Sequence, residues 1–117
     1  MVSEPAKMSS AARDLIATDV PLHVSAISAW EVGMLVSKSR IRLDRPVERW
    51  VADSIKSLRA SPVSVDTRIG VLATMLPSDP PADPADRLIV ATALTIGAAL
   101  ITPDRRILEY PYCPTVW

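Results

Sequence analysis

Three acidic side chains lie in or beside apolar runs, where a charged group is costly to bury. Glu31 lies within "ISAWEVGMLV", Asp86 lies near the start of "DPADRLIVATA", and Asp104 closely follows "ALIT". A carboxylate that is buried without a partner is destabilising by several kcal/mol, so each needs a hydrogen-bond donor or a cation. Oxygen ligands with few His or Cys suit Mg²⁺ or Mn²⁺ rather than zinc. Such an ion, with water in its coordination shell, can catalyse the hydrolysis of a phosphodiester.

Helix capping is the alternative explanation for each of these residues. "SAWE" places Glu31 three residues after Ser28, as in a capping box. "DPAD" places Asp83 at an N-cap and Asp86 at the third helical position, near the positive end of the helix dipole. Asp104 has the right place to cap the turn "RRIL". Capping explains each residue singly, but it does not explain why all three converge.

The three acidic residues are expected to converge because of the helices and strands that the sequence predicts. Helices are expected over 9–19, 28–38, 45–60, 67–76 and 85–96, strands over 22–27, 62–66 and 98–102, a helical turn within 103–111, and an edge strand at 114–117. Short, solidly apolar strands that alternate with helices indicate an α/β fold with a parallel sheet covered by helices on both faces. Since ligands bind beyond the carboxyl ends of such strands, Glu31, Asp86 and Asp104 are expected to meet at one edge of the sheet.

Composition sets the broad class of the protein. With 117 residues, of which 49% are hydrophobic, the chain fits a single globular domain. Thirteen basic residues balance thirteen acidic ones, so binding of nucleic acid would require a local basic patch. One cysteine allows no internal disulfide, and no apolar run has the length of a membrane span. A cytoplasmic protein without membrane association is expected.

Three segments together resemble the PIN-domain ribonucleases, specifically the VapC-like toxins of bacterial toxin–antitoxin pairs. They are "VSAISAWEVGMLVSKSRIRLDRPVERWV", "DPADRLIVATA" and "LITPDRRILEYP", and they occur in the family's order and spacing. The resemblance runs from about residue 9 to the C-terminus. It implies a three-layer α/β/α sandwich, a homodimer, Mg²⁺- or Mn²⁺-dependent endoribonuclease activity on RNA, and a cognate antitoxin that inhibits it.

The resemblance also assigns roles to individual residues. Glu31, Asp86 and Asp104 match the family's second, third and fourth acidic metal ligands and are the expected catalytic residues. Thr102 lies where a small hydroxyl residue often assists, while Arg87, Arg105 and Arg106 lie beside the ligands and are placed to bind the substrate backbone. Asp83 also matches a frequent family aspartate, but it is assigned here to capping.

One departure from the family affects both fold and chemistry. The family opens with an apolar strand that ends in a metal-binding Asp, and "MVSEPAKMSS" resembles the stretch that follows it. Residues 1–117 are therefore expected to form one PIN-like domain without that N-terminal strand, with a gap or unpaired strand edges in the sheet. Two functions stay open: an active nuclease, or a non-catalytic PIN module that binds antitoxin or RNA without cleaving. A phosphatase or another Mg²⁺ enzyme on a similar sheet is a third.

Overall fold

The computed structural model describes residues 9–117, which fold into short helices and very short parallel strands. In chain order the elements are α1 (Ser10–Ala17), β1 (His23–Ser25), α2 (Ala26–Ser37), α3 (Val47–Leu58), β2 (Ser61–Val63), α4 (Thr67–Thr74), α5 (Pro84–Ile96), β3 (Leu100–Ile101), α6 (Arg105–Leu108) and β4 (Thr115–Val116). The predicted α/β class is confirmed. The strands are shorter than the apolar runs that predicted them, because only part of each run pairs with a neighbour.

Side-chain caps explain where most of these helices begin. A serine or aspartate oxygen accepts a backbone N–H in the first turn of five helices, namely Ser9 for α1, Ser25 for α2, Asp66 for α4, Asp83 for α5 and Asp104 for α6. At the other end of α5, Gly97 has a φ of 68°, as predicted for a C-terminal cap. The ends of α5, which position much of the site, are therefore fixed by local sequence.

The main apolar core lies where α4 and α5 pack together. Ile69 from α4 and Val90 from α5 are almost fully buried there, and Ile107 of α6 closes the same cluster. Cys113, which lies between prolines and would be expected at the surface, is instead buried in this core with 4% of its area exposed. The cysteine therefore acts as a small apolar side chain within this cluster.

The strands form two separate pairs within residues 9–117, where one sheet was expected. β1 pairs with β2 in parallel, and His23 lies opposite Ser61. β3 pairs with β4 in parallel, and Leu100 lies opposite Thr115. Residues of β1 and of β3 line one cavity of about 720 Å³, which separates the two pairs. The middle of the expected sheet is therefore a cleft in the described part of the chain.

The remaining helices lie at the surface. α3 has its apolar residues along one face, as its spacing predicts, but none of its side chains is fully buried. Trp30 of α2 has 56% of its area exposed, and Met75, just after α4, has 69%. Over the described range 9–117, every helix falls short of the length and apolar character that a bilayer span requires.

Candidate active site

Glu31 lies inside α2, away from the helix start. Ser25 caps this helix by accepting the Ile27 amide at 3.1 Å, so the helix begins at Ala26 and Glu31 falls in its second turn. The capping-box alternative with Ser28 is therefore wrong, because the chain enters the helix three residues earlier than that box requires. Glu31 is half-buried and lines the cavity between the two strand pairs.

The surroundings of Glu31 disfavour its charged form. Burial is the first cause that raises the pKa of this carboxyl above its ordinary value, and repulsion from Asp86, Asp83 and Asp104 adds to it. A group with such neighbours is stabilised either by a proton or by a cation. Ser28, the supposed cap, also lines the cavity beside Glu31.

Two aspartates at the start of α5 have different tasks. Asp83 is the cap, since its Oδ1 accepts the amides of Ala85 at 2.8 Å and Asp86 at 3.2 Å. Asp86 holds the third helical position, as predicted, and its half-buried side chain lines the cavity. Burial raises the pKa of Asp86, and so do Asp83 and Asp104, while Arg106 opposes them. Capping therefore explains Asp83 and leaves the side chain of Asp86 without that role.

Asp104 combines a cap with a place at the cavity. Its Oδ1 accepts the Arg106 amide at 2.9 Å, so it does begin α6, and the same oxygen lies 3.8 Å from Nε of Arg106. Its own amide donates to Oγ1 of Thr102 at 3.1 Å. Thr102 and Asp104 both line the cavity. The hydroxyl of Thr102 thus fixes the backbone that carries Asp104, just beyond β3.

The three predicted acidic residues line one cavity and repel one another. Glu31, Asp86 and Asp104 come from α2, α5 and the segment after β3; repulsion from Asp86 and Asp104 contributes to the raised pKa of Glu31, and repulsion from Asp104 contributes to that of Asp86. Within residues 9–117, however, there is no group of three or more His, Cys, Asp or Glu close enough to hold a metal ion directly. The carboxylates are electrostatic neighbours rather than an assembled ligand set.

The donor chemistry nevertheless fits a hydrated divalent ion. Mg²⁺ usually keeps several waters and takes one or two carboxylates directly, so it does not require three carboxylates in direct contact. Glu31 and Asp86 supply hard oxygen atoms to the lining of the cavity, from α2 and α5. Repulsion from neighbouring carboxylates contributes to the raised pKa values of Glu31 and Asp86, and a bound cation would relieve it. These residues could therefore hold Mg²⁺ or Mn²⁺ through bound water.

The three arginines predicted beside the acidic residues differ in their surroundings. Arg87 donates through Nε to the carbonyl of Pro81 at 2.8 Å, so it holds the proline-rich loop against α5. Arg105 is exposed at the start of α6, and the described wall of the cavity includes neither arginine. Arg106 is the arginine that interacts with both Asp104 and Asp86. Asp104 caps α6, and the cap places Arg106, the second residue of this helix, beside the carboxylate of Asp104.

Two residues near the site have effects that the capping patterns do not predict. Asp83 caps α5 as predicted, and its charge also raises the pKa of Glu31 and of Asp86. Ser28 was treated as a cap, although Ser25 lies three residues before it and is an equally good capping residue. The pair of serines in "SAIS" was the available signal.

Comparison with known proteins identifies the fold. The family model described as PIN domain matches residues 2–111, which is most of the chain. The chain belongs to the PIN domain family. A curated relative, Ribonuclease VapC22 of Mycobacterium tuberculosis (strain ATCC 25618 / H37Rv), is 39% identical over 117 residues, which covers 98% of this chain and 88% of the relative. No solved structure matches the chain significantly. The mixed α/β arrangement with short parallel strands is consistent with the α/β/α fold that the resemblance implied.

Proposed function

We propose that this VapC-like PIN domain is a divalent-metal-dependent endoribonuclease and the toxin of a toxin–antitoxin pair. The observation that carries the proposal is that Glu31, Asp86 and Asp104 line one cavity beyond β1 and β3. Similarity to a protein named as a VapC ribonuclease supports the choice of RNA as substrate. Apart from these carboxylates, the cavity is lined mostly by aliphatic side chains.

Each residue has a role in the proposed reaction. Bound Mg²⁺ or Mn²⁺ would supply an activated water and neutralise charge on the phosphate. Glu31 and Asp86 would hold the ion from two helices, and Asp104, with its backbone fixed by Thr102, would add a third carboxylate at the same cavity. Arg105 is exposed beside Asp104 and is free to reach an RNA phosphate beyond the rim. Arg87, which is bonded to Pro81, shapes the rim rather than gripping the substrate.

An RNA cleavage assay with matched variants tests the proposal. Purified protein is incubated with a mixture of structured RNAs in Mg²⁺, in Mn²⁺ or in EDTA. Glu31→Gln, Asp86→Asn and Asp104→Asn should each lower the cleavage rate at least about a hundredfold, since each loses charge that the ion requires. Asp79→Asn, an exposed aspartate in the proline loop, is the control and should cleave at the wild-type rate. Equal rates for Asp86→Asn and wild type would refute the proposal.

A non-catalytic PIN module that binds antitoxin or RNA without cleaving is the second candidate. Two observations favour it: the strands of residues 9–117 form separate pairs, and no assembled ligand group occurs in that range. The same assay discriminates the two candidates. RNA that is retained on a filter but stays intact in Mg²⁺ and Mn²⁺, with wild type and Asp86→Asn alike, would favour the non-cleaving module.

We also propose that the protein forms a homodimer and binds a cognate antitoxin. The support is its apolar surface, which includes Trp30 and Met75 together with the half-buried apolar face of α3. Light scattering across a micromolar to millimolar range tests the dimer. A strictly monomeric mass at every concentration would contradict it.

A further inference from the structure

The segment between α2 and α3 carries an excess of positive charge. Residues 38–46 contain four basic residues and one acidic residue, in a chain whose formal net charge is zero. The acidic residue, Asp44, is already neutralised, because its carboxylate lies 2.8 Å from Nη2 of Arg45. Nη1 of Arg45 also reaches Asp53 of α3, at 2.7 Å. Three cations of this segment are left without an opposite charge: Lys38, Arg40 and Arg42.

The folded chain makes no polar use of these three side chains. In residues 9–117, no side-chain hydrogen bond and no ion pair engages Lys38, Arg40 or Arg42. All three residues are exposed, whereas Ile41 and Leu43, which alternate with the arginines, are half-buried. The aliphatic residues therefore anchor residues 38–42, the basic loop, while the cations of this loop face solvent.

The end of α2 fixes the backbone of the basic loop. Ser39 has a φ of 57°, its amide donates to the carbonyl of Val36 at 3.0 Å, and the amide of Arg40 donates to that of Leu35 at 2.9 Å. These two bonds form a Schellman motif, with serine at the position where glycine is usual. Lys38 and Arg40 therefore leave the helix in a defined backbone geometry.

Stabilisation of the helix end explains only part of this charge. Lys38 is the C-cap of α2, where a cation interacts favourably with the negative end of the helix dipole. That interaction falls off within one turn, and Arg42 lies four residues beyond the C-cap. Exposed like charges that lie close together repel one another, so a bound polyanion would relieve this repulsion.

Helix geometry connects the basic loop with the acidic cavity. Ser28, Glu31 and Leu35 of α2 line the cavity, and their spacing of three and four residues defines one face of the helix. Lys38 lies three residues after Leu35 and seven after Glu31, so it continues the same face. At about 1.5 Å per residue, Lys38 lies about 10 Å from Glu31 along the helix. The basic loop thus begins where the cavity-lining face of α2 ends.

A phosphate backbone suits this arrangement. Guanidinium groups bind phosphate oxygens in a bidentate manner, and Lys binds phosphate as a point charge. A stacked strand of nucleic acid rises about 3.4 Å per nucleotide, so about three nucleotides span the distance from Glu31 to Lys38. RNA held at the acidic cavity, as proposed above, therefore reaches the basic loop within a few nucleotides.

We infer that the basic loop is a second contact for the RNA backbone, which binds phosphates about three nucleotides away from the phosphate at the acidic cavity. The inference rests on the proposed function for the identity of the polyanion. Because phosphate contacts carry no base information, the loop sets affinity and register on the RNA and leaves sequence preference to other contacts.

The salt dependence of RNA binding tests the inference on the full chain, in EDTA so that binding is measured without cleavage. The probe is a fluorescein-labelled single-stranded RNA of about twenty nucleotides, and its anisotropy is followed from about 50 to about 200 mM KCl. Each phosphate contact contributes about 0.7 to the slope of log K against log salt concentration. Lys38→Gln, Arg40→Gln and Arg42→Gln should each reduce the slope by about that amount, and the triple variant by about 2. The triple variant should also bind at least about tenfold more weakly at the lowest salt concentration.

Lys56→Gln is the matched control for the single variants. Lys56 is an exposed lysine in the last turn of α3, and its substitution removes the same formal charge. It lies nine residues after Val47, about 13 Å along α3 from the end that follows the basic loop. Its affinity and salt slope should be those of wild type.

Lysine acetylation on the unaltered protein locates the contact independently of any variant. Saturating RNA should protect Lys38 from an acetylating reagent, whereas Lys56 should react as it does without RNA. Mass spectrometry of the digested protein reads both lysines in one sample, so Lys56 serves as the internal control.

Four results would overturn the inference. The first is a triple variant with the wild-type slope and affinity, and the second is an equal loss in Lys56→Gln and Arg40→Gln, which would indicate a general field. The third is equal acetylation of Lys38 with and without RNA. The fourth is displacement of the RNA by polyglutamate at equal charge concentration, which would assign the loop to an acidic peptide.

Failure of this inference is distinguishable from failure of the proposed function. RNA that binds through the basic loop but stays intact in Mg²⁺ and Mn²⁺ would refute the nuclease and support the second contact. A triple variant that cleaves RNA and binds it with the wild-type salt slope would support the nuclease and refute the second contact.

Discussion

Substitution at the start of α5 separates the capping aspartate from the one that faces the cavity. Asp83→Ala removes an oxygen that accepts two amides, at 2.8 Å from Ala85 and 3.2 Å from Asp86. Loss of an N-cap is destabilising by about 1 kcal/mol on average, and a charged cap with two bonds falls in the upper part of the range, about 1.5 kcal/mol. Because Asp83 also repels Glu31 and Asp86, part of this loss is offset, and a net loss of about 1 kcal/mol is expected.

Asp86→Asn should act in the opposite direction when no metal is bound. The amide of Asp86, not its side chain, takes part in the cap, and its half-buried carboxylate is repelled by its neighbours. Removing that charge leaves the free energy of unfolding in EDTA unchanged or slightly higher. Asp83→Ser, which keeps a capping oxygen without the charge, is the matched control and should also be near wild type.

Urea denaturation followed by far-UV circular dichroism, in EDTA, measures these differences. For a domain of this size the loss in Asp83→Ala corresponds to a melting temperature about 3–5 °C lower. An Asp86→Asn variant that is destabilised as much as Asp83→Ala would refute the division of roles, because it would make Asp86 a structural residue.

Further predictions concern pH, a buried hydroxyl and a helix end. The folded-state pKa of Glu31 is raised above its ordinary value of 4.5, so the contribution of Glu31 to stability is complete below that pH and is lost as the pH rises through the folded pKa. In EDTA, the melting temperature of wild type should therefore fall relative to that of Glu31→Gln from about pH 4.5 upward. Parallel curves of melting temperature against pH for the two proteins would contradict this. Tyr110→Phe removes the donor to the carbonyl of Pro77 and should reduce the free energy of unfolding by about 1 kcal/mol in urea titrations, with no change contradicting the bond. Gly97→Ala places a residue with a side chain at a φ of 68° and should lower the free energy of unfolding by about 1 kcal/mol in the same urea titrations. An unchanged midpoint would show that alanine adopts this left-handed conformation without strain.

Local sequence signals predicted most of the helices because short-range chemistry fixes them. The Asp83–Pro84 start and the Gly97 end of α5 were both legible in the sequence, and the structure has them at those residues. The N-cap of α2 was predicted three residues too late, since Ser25 and Ser28 are both competent caps and the helix uses Ser25. That choice decides whether Glu31 caps a helix or faces a cavity.

Long-range features of the site were less accessible from the sequence. Periodicity places Glu31, Asp86 and Asp104 near the carboxyl ends of strands, but it does not give the distances between their oxygen atoms. The pairing of strands into two separate sheets depends on which edges meet in space, and apolar strands of similar composition carry little register information. The engagement of Arg87 by the carbonyl of Pro81 likewise depends on how the proline loop folds back.

Binding of Mn²⁺, measured by isothermal titration calorimetry, tests most directly whether the three carboxylates hold one divalent ion. Wild type should bind Mn²⁺ saturably, and Glu31→Gln, Asp86→Asn and Asp104→Asn should each weaken binding at least about tenfold. The control Asp79→Asn should bind as wild type does. Equal affinity in wild type and Asp86→Asn, or no saturable binding by wild type, would contradict the account.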